Sequence, residues 1–323
     1  MYKELFQVPV IKKNNGFTAL RLICALIVVY EHFVVLTNYQ LPILNLRSFV
    51  VNTFFILSGF WVTKSLFSSD SIIEFYKKRV KKIFPLYLLV IFLSAFFLFF
   101  FSTLSLKEYF FNKIFWKYLL FNILTINFIQ PYLPGVFDNA PVNGSLWTIK
   151  VELGFYIILP IIIILWLGKN NKSKSNNNDE KNISMKYNWI VLFLLYLLSF
   201  LFVIIINICI EKYHLPEAIN HQLPTYMTYF ISGMVCLLYY DKIFDALNFL
   251  SVPSIIILIL FRYIDNYFIN TFLMIFEPLA LAFFIMFLAF KVKPLQLLSK
   301  LYDFSYPLYL FHYPLIMLLK FYI

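Results

Sequence analysis

From Leu20 to the C-terminus, apolar stretches recur one after another, each long enough to cross the hydrocarbon core of a bilayer. A spanning helix needs about 20 mostly apolar residues, and only helices and closed barrels satisfy every backbone group inside lipid. Barrel strands alternate apolar and polar residues; these runs do not. The chain is 62% hydrophobic and 13% charged, more apolar than a soluble core of this length needs. Seven glycines and fourteen prolines exclude fibrous and low-complexity classes. The sequence therefore predicts an all-α, polytopic transmembrane helix bundle with about 9–10 spans.

Spans are expected near 17–37, 47–66, 83–102, 146–168, 188–210, 224–240, 251–268, 271–290 and 303–321. A further apolar segment at 116–130 is interrupted by Lys117, Asn122 and Asn127 and followed by Pro131, Pro134 and Pro141. It could cross, dip and return, or lie on the surface. Net charge is +11. In a soluble protein that excess would suggest nucleic acid; here it reports orientation, because Lys and Arg concentrate in cytoplasmic loops. The N-terminus, the run 77–82, the tract 169–186 and the loop 291–300 can all face the cytoplasm only if 103–145 crosses an even number of times. A re-entrant segment is expected there, with a cytoplasmic N-terminus. The first apolar run reads as a retained helix rather than a cleaved signal. The Asn- and Lys-rich stretch 169–187 reads as a flexible loop inside one membrane domain covering 1–323. No internal repeat supports a two-fold transporter architecture, and Cys24, Cys209 and Cys236 read as core thiols.

Ionisable groups inside spans are costly, so each is a candidate for function. Arg21 and His32 lie eleven residues apart, which returns to within about 20° of one helical face, about 16 Å along the axis. A histidine can take a proton from a hydroxyl near neutral pH, and an arginine can hold a phosphate or carboxylate with paired donors. Alternatively, Arg21 snorkels to the interface and His32 hydrogen-bonds a neighbouring helix. Glu31 points about a quarter-turn away from His32 and need not act with it. Five cations in residues 77–82 include Arg79 and Lys82; they fit positive-inside placement and also an anionic cofactor with several phosphates. Trp147 and Glu152 open the span near 146–168, as an interfacial anchor and as a partner for a basic residue or as pocket groups. His312 stands among apolar neighbours in the last span, where a structural hydrogen bond is the simplest reading. No metal or nucleotide motif is present.

Taken together, Arg21-Leu-Ile-Cys-Ala-Leu with His32, Phe54-Phe-Ile-Leu-Ser-Gly-Phe60, Ser145-Leu-Trp-Thr with Glu152, and Ser305-Tyr-Pro-Leu-Tyr-Leu-Phe-His312 resemble, in order, the motifs of the acyltransferase-3 family. These are integral membrane O-acyltransferases of bacterial surface polysaccharides. Two departures stand out. Lys82 replaces the second of the family's paired arginines, keeping charge but losing the bidentate fork. Asn52 stands where many members carry Asp. The resemblance implies a multi-pass protein of the inner (cytoplasmic) membrane that moves an acyl group, most often acetyl, from acyl-CoA to a hydroxyl of a glycan or lipid-linked glycan. It implies His32 as general base, Arg21 orienting the donor, Arg79 and Lys82 holding the phosphates of coenzyme A, Trp147 and Glu152 shaping the pocket, and His312 in acceptor binding or proton relay. Membrane lipid, but not nucleic acid, is the expected surrounding partner, and no metal is expected. A transporter or flippase using the same buried His, Arg and Glu is the alternative class.

Overall fold

The computed structural model describes residues 8–167, 178–264 and 266–322. Its α-helices in chain order are α1 (Phe17–Thr37), α2 (Arg47–Phe67), α3 (Ile72–Phe97), α4 (Leu106–Phe110), α5 (Lys113–Ile123), α6 (Trp147–Leu167), α7 (Asn178–Tyr213), α8 (Leu223–Leu238), α9 (Tyr240–Tyr263), α10 (Tyr267–Leu273), α11 (Glu277–Lys291), α12 (Lys293–Leu298) and α13 (Ser305–Tyr322). No strand occurs among the described residues. Within them, six helical stretches are long and apolar enough to cross a bilayer: Phe17–Thr37, Arg47–Phe67, Ile72–Phe101, Gly144–Leu167, Trp189–Tyr213 and Tyr240–Tyr263. The other three expected spans are helices of 16, 15 and 18 residues, namely α8, α11 and α13. At about 1.5 Å per residue they reach roughly 22–27 Å, a little under a full hydrocarbon core.

Side-chain exposure fits lipid. Along α7, Phe193, Leu194, Leu198, Leu201, Ile205 and Ile208 are all exposed. A soluble protein rarely leaves so long an apolar face uncovered; in a membrane that face meets acyl chains.

Three boundaries differ from the sequence reading. α9 begins at Tyr240 rather than near 251, because Asp241, Lys242 and Asp245 dilute the hydropathy of a stretch that is nonetheless helical. The run expected at 271–290 is divided into α10 and α11, with Pro278 in the first turn of α11, a position where its missing N–H costs nothing. Of the loop expected at 169–187, residues 169–177 lie outside the described residues, whereas 178–187 are the first turns of α7. A polar composition without hydrophobic period does not distinguish a loop from a helical extension.

The chain packs as two compact units, each assembled from segments far apart in sequence. Among the described residues the first comprises the N-terminal stretch through Lys13, Asn52–Tyr76 and Val151–Val292. Its centre is a close crossing of α2 and α8. A Cβ on Gly59 would lie 2.0 Å from the Phe230 carbonyl oxygen, and one on Gly233 would lie 2.0 Å from that of Ile56. Only glycine lets the two backbones meet there, the small-residue packing that holds helices together where lipid supplies no hydrophobic drive. Phe155 stacks on Phe230 beside it, ring centroids 4.2 Å apart.

The second unit comprises Asn14–Val51, Lys77–Lys150 and Lys293–Ile323. In it α1 packs along α13. The region 103–145 folds back on itself, and the 11 residues of its longest helix, α5, reach only about 16 Å. Its polar interruptions carry buried hydrogen bonds. The Tyr87 hydroxyl donates to the Asn122 carbonyl (2.7 Å) and the Asn122 amide donates to Tyr118 O (2.8 Å), tying α3 to α5. Thr103 N–H donates to Gly135 O (3.0 Å) and Val142 N–H to Pro131 O (2.8 Å), closing the return.

Candidate active site

The site is built where α1 and α13 touch at two levels. Near the start of both helices, Arg21 Nη1 lies 3.2 Å from Asp303 Oδ2. The other carboxylate oxygen of Asp303 accepts the Ser305 backbone N–H (3.1 Å) and hydroxyl (2.5 Å), satisfying donors in the open first turn of α13. Burial alone raises the Asp303 pKa, but the Ser305 hydrogen bonds and the Arg21 guanidinium outweigh it and hold the carboxyl below its ordinary range. The Ala19 N–H donates to Ser299 Oγ (3.0 Å) at the same level.

Further along both helices, His32 Nδ1 lies 2.8 Å from His312 Nε2, and the rings are nearly parallel, centroids 5.0 Å apart. Each pair advances toward the C-terminus on both helices, so α1 and α13 run parallel.

The hydrogen bonds fix the tautomers. His312 Nδ1 lies 2.7 Å from the Tyr309 carbonyl oxygen, which can only accept, so the proton sits on Nδ1. In the neutral pair His312 Nε2 is then the acceptor and His32 Nδ1–H the donor. That leaves the lone pair of His32 on Nε2, the nitrogen for which no hydrogen bond is present among the described residues. His312 is buried, whereas His32 is half-buried. A carbonyl-anchored imidazole thus orients a second imidazole that presents a basic nitrogen, the arrangement in which a general base is held by a third group.

Glu31 does something else, as its quarter-turn offset predicts. It is buried and accepts the backbone N–H groups of Leu46 (2.5 Å) and Arg47 (3.1 Å), capping the N-terminus of α2. The basic run lies at the Arg21 level: the Tyr306 hydroxyl, three residues past Asp303, donates to the Ile83 carbonyl (3.0 Å), next to Lys82. Arg79 is half-buried; Lys77, Lys78, Lys81 and Lys82 are exposed. Trp147 is half-buried at the start of α6. Arg21, His32, Arg79, Lys82, Trp147 and His312 therefore all belong to one compact unit, while Glu152 belongs to the other, where it accepts from the Tyr156 hydroxyl.

Of the cysteines, Cys24 and Cys236 are buried as expected, but Cys209, on the lipid-exposed α7, is only half-buried. No group of three His, Cys, Asp or Glu side chains able to hold a metal occurs among the described residues. Sequence reasoning missed Asp303 and the contact between the two histidines. Asp303, two residues before Ser305, carried a readable helix-start signal. Nothing local could have joined histidines 280 positions apart.

Residues 14–323 match the family model described as "Acyltransferase domain", and the chain belongs to this acyltransferase-3 family. It is 32% identical over 159 residues to an O-acetyl transferase of Shigella phage Sf6, covering 47% of this chain and 46% of the relative. It is 30% identical over 165 residues to nodulation protein 10 of Rhizobium leguminosarum bv. viciae, covering 47% and 45%. Over 121 residues it is 30% identical to acyltransferase MdmB of Streptomyces mycarofaciens, covering 38% and 30%. The matched segments thus span about half the length of the first two relatives, or less. No solved structure matches the chain.

Proposed function

We propose that this membrane protein transfers an acyl group, acetyl being the simplest, from acyl-CoA to a hydroxyl of a cell-surface glycan or lipid-linked glycan, with His32 as general base. The observation that carries this reading is the chain of contacts from the Tyr309 carbonyl through His312 to His32, which puts the lone pair of His32 on Nε2. His32 Nε2 takes the proton of the acceptor hydroxyl as its oxygen attacks the thioester carbonyl carbon. The carbon–sulfur bond breaks, the ester remains on the acceptor, and the coenzyme A thiolate leaves with the proton that His32 returns.

The donor fits the other level of the site. Five cations in residues 77–82, beside the start of α13, suit a molecule carrying several phosphates. Arg79 and Lys82 hold those phosphates, and Arg21, braced by Asp303, orients the acyl thioester between phosphate and base. With a cytoplasmic N-terminus, the cations face the compartment that supplies acyl-CoA, and His32 lies deeper, toward the face where a surface glycan is met. The O-acetyl transferase name of the phage relative supports acetyl as the group moved. A transporter could use the same histidines as a proton relay, but the family membership favours group transfer.

Mild-base release of ester-linked acid from purified surface glycan tests the reading. Cells carrying wild type should release acetate above the vector control, and His32→Ala at equal protein level should not. Equal release from all three, in a host shown to make the acceptor, would overturn it.

A further inference from the structure

The turn that opens α6 is bolted to the same stretch of α13 that holds His312. Asn143 Nδ2–H donates to the Leu310 carbonyl (2.9 Å), while its Oδ1 accepts the Ser145 hydroxyl (2.7 Å) and backbone N–H (3.2 Å). Thr148 Oγ1 and the Tyr309 hydroxyl are 2.7 Å apart. Both lie within hydrogen-bond distance of one acceptor, the Ser145 carbonyl, at 3.1 and 3.2 Å. Gly144 makes the close approach possible: a Cβ there would meet the Tyr313 ring at 2.8 Å. The edge of the Tyr313 ring in turn packs against His32, centroids 5.5 Å apart at 75°.

Asn143, Ser145, Thr148 and Tyr309 are all buried. Three of these contacts, Asn143 to Leu310, Thr148 to Tyr309 and Tyr309 to Ser145, reach α13 at Tyr309 or its neighbour, and the others brace the turn itself. A helix of this kind could be seated by apolar packing alone, as Gly59 and Gly233 seat α2 on α8. A buried network of several polar side chains is instead the device that fixes one arrangement out of several similar ones. Here the network holds the Tyr309 side chain and the Leu310 carbonyl, on the stretch of α13 whose Tyr309 carbonyl meets His312.

We infer that the Asn143–Gly144–Ser145 turn, with Thr148 and the Tyr309 hydroxyl, is a positioning clamp that holds the His312–His32 relay in the tautomer with a basic Nε2 on His32. The clamp rests on the reading of His32 as general base, and it assigns these residues a role in the transfer step without contact with either substrate.

Two hydroxyl deletions that keep shape test it: Tyr309→Phe and Thr148→Val, with Thr148→Ser as the conservative control, in purified full-length protein assayed for acyl transfer. The clamp predicts that kcat falls about tenfold or more in both deletions, since small misplacements near reacting groups cost that much or more. KM for acyl-CoA should stay within about twofold, and Thr148→Ser should restore kcat. Unchanged kcat in whichever deletion remains monodisperse overturns the clamp. A loss matched in kcat and in active-protein yield, which Thr148→Ser does not rescue, also overturns it by showing a merely structural role. His32→Ala assayed alongside separates the two ideas: if it still transfers, the general-base reading fails; if it alone is inactive, only the clamp fails.

Discussion

Two helix crossings, one in each unit, solve the same problem with opposite chemistry. α2 meets α8 through Gly59 and Gly233, with backbone against backbone. α1 meets α13 through an arginine–aspartate pair at one level and two histidines at another. The first shows that two helices of this chain can meet at their closest approach through glycine alone. Ionisable groups inside a span are costly, up to about 2.5–3.5 kcal/mol for a charged side chain at the helix centre on insertion scales. Their presence at the second crossing is therefore better explained by chemistry than by cohesion.

The largest effect should come from breaking the apolar crossing. Gly233→Leu places side-chain atoms where a carbonyl oxygen already stands, so the two helices must move apart and lose the close packing between them. The cost should reach or exceed the roughly 1–3 kcal/mol of ordinary overpacking. Size-exclusion of detergent extracts should show little monodisperse protein, and a normal yield with normal thermal stability would contradict the packing described.

The polar crossing should respond in the reverse sense, losing activity and keeping the fold. Within it, His32→Ala should lower acyl transfer by about 10²–10⁴-fold, the range of a lost general base, with the melting temperature nearly unchanged. His312→Ala should cost less, about 10–100-fold, because a water can still hydrogen-bond His32 Nδ1 without fixing its direction. If His312→Ala proves as inactive as His32→Ala, the order of the two imidazoles is reversed.

The smallest effect belongs to Asp303. Its partly exposed pair with Arg21 should contribute no more than about 1 kcal/mol. The sign of the pH dependence is set by its depressed pKa: the contribution is fully present above the unfolded carboxylate value and is lost as pH falls through the lower folded value. Asp303→Asn should therefore flatten the acid side of a thermal-stability profile by a small amount and leave the neutral side almost unchanged.

Much of this architecture was legible in the chain because lipid simplifies the rules. Long apolar runs had to be helices, and the face shared by Arg21 and His32 was set by helical period alone; both residues do reach the same neighbouring helix. Hydropathy failed where charge dilutes a real helix, at Tyr240–Leu250, and where an apolar run is broken before Pro278. The site was legible in its parts but not in its pairing. His312 looked isolated because a sequence window shows only the apolar residues beside it, whereas its partner arrives from a helix 280 positions away. Glu152 also accepts from a tyrosine one turn further along its own helix, a spacing-of-four contact that could have been anticipated.

Coenzyme A binding and acyl transfer, measured on one preparation of purified wild type and His32→Ala, test the central claim most directly. Two levels of one site, with cations for the donor and a histidine for the chemistry, predict that His32→Ala binds coenzyme A as wild type does but releases no free thiol in the presence of acyl-CoA and acceptor. Thiol release by His32→Ala at a rate close to wild type would contradict the account.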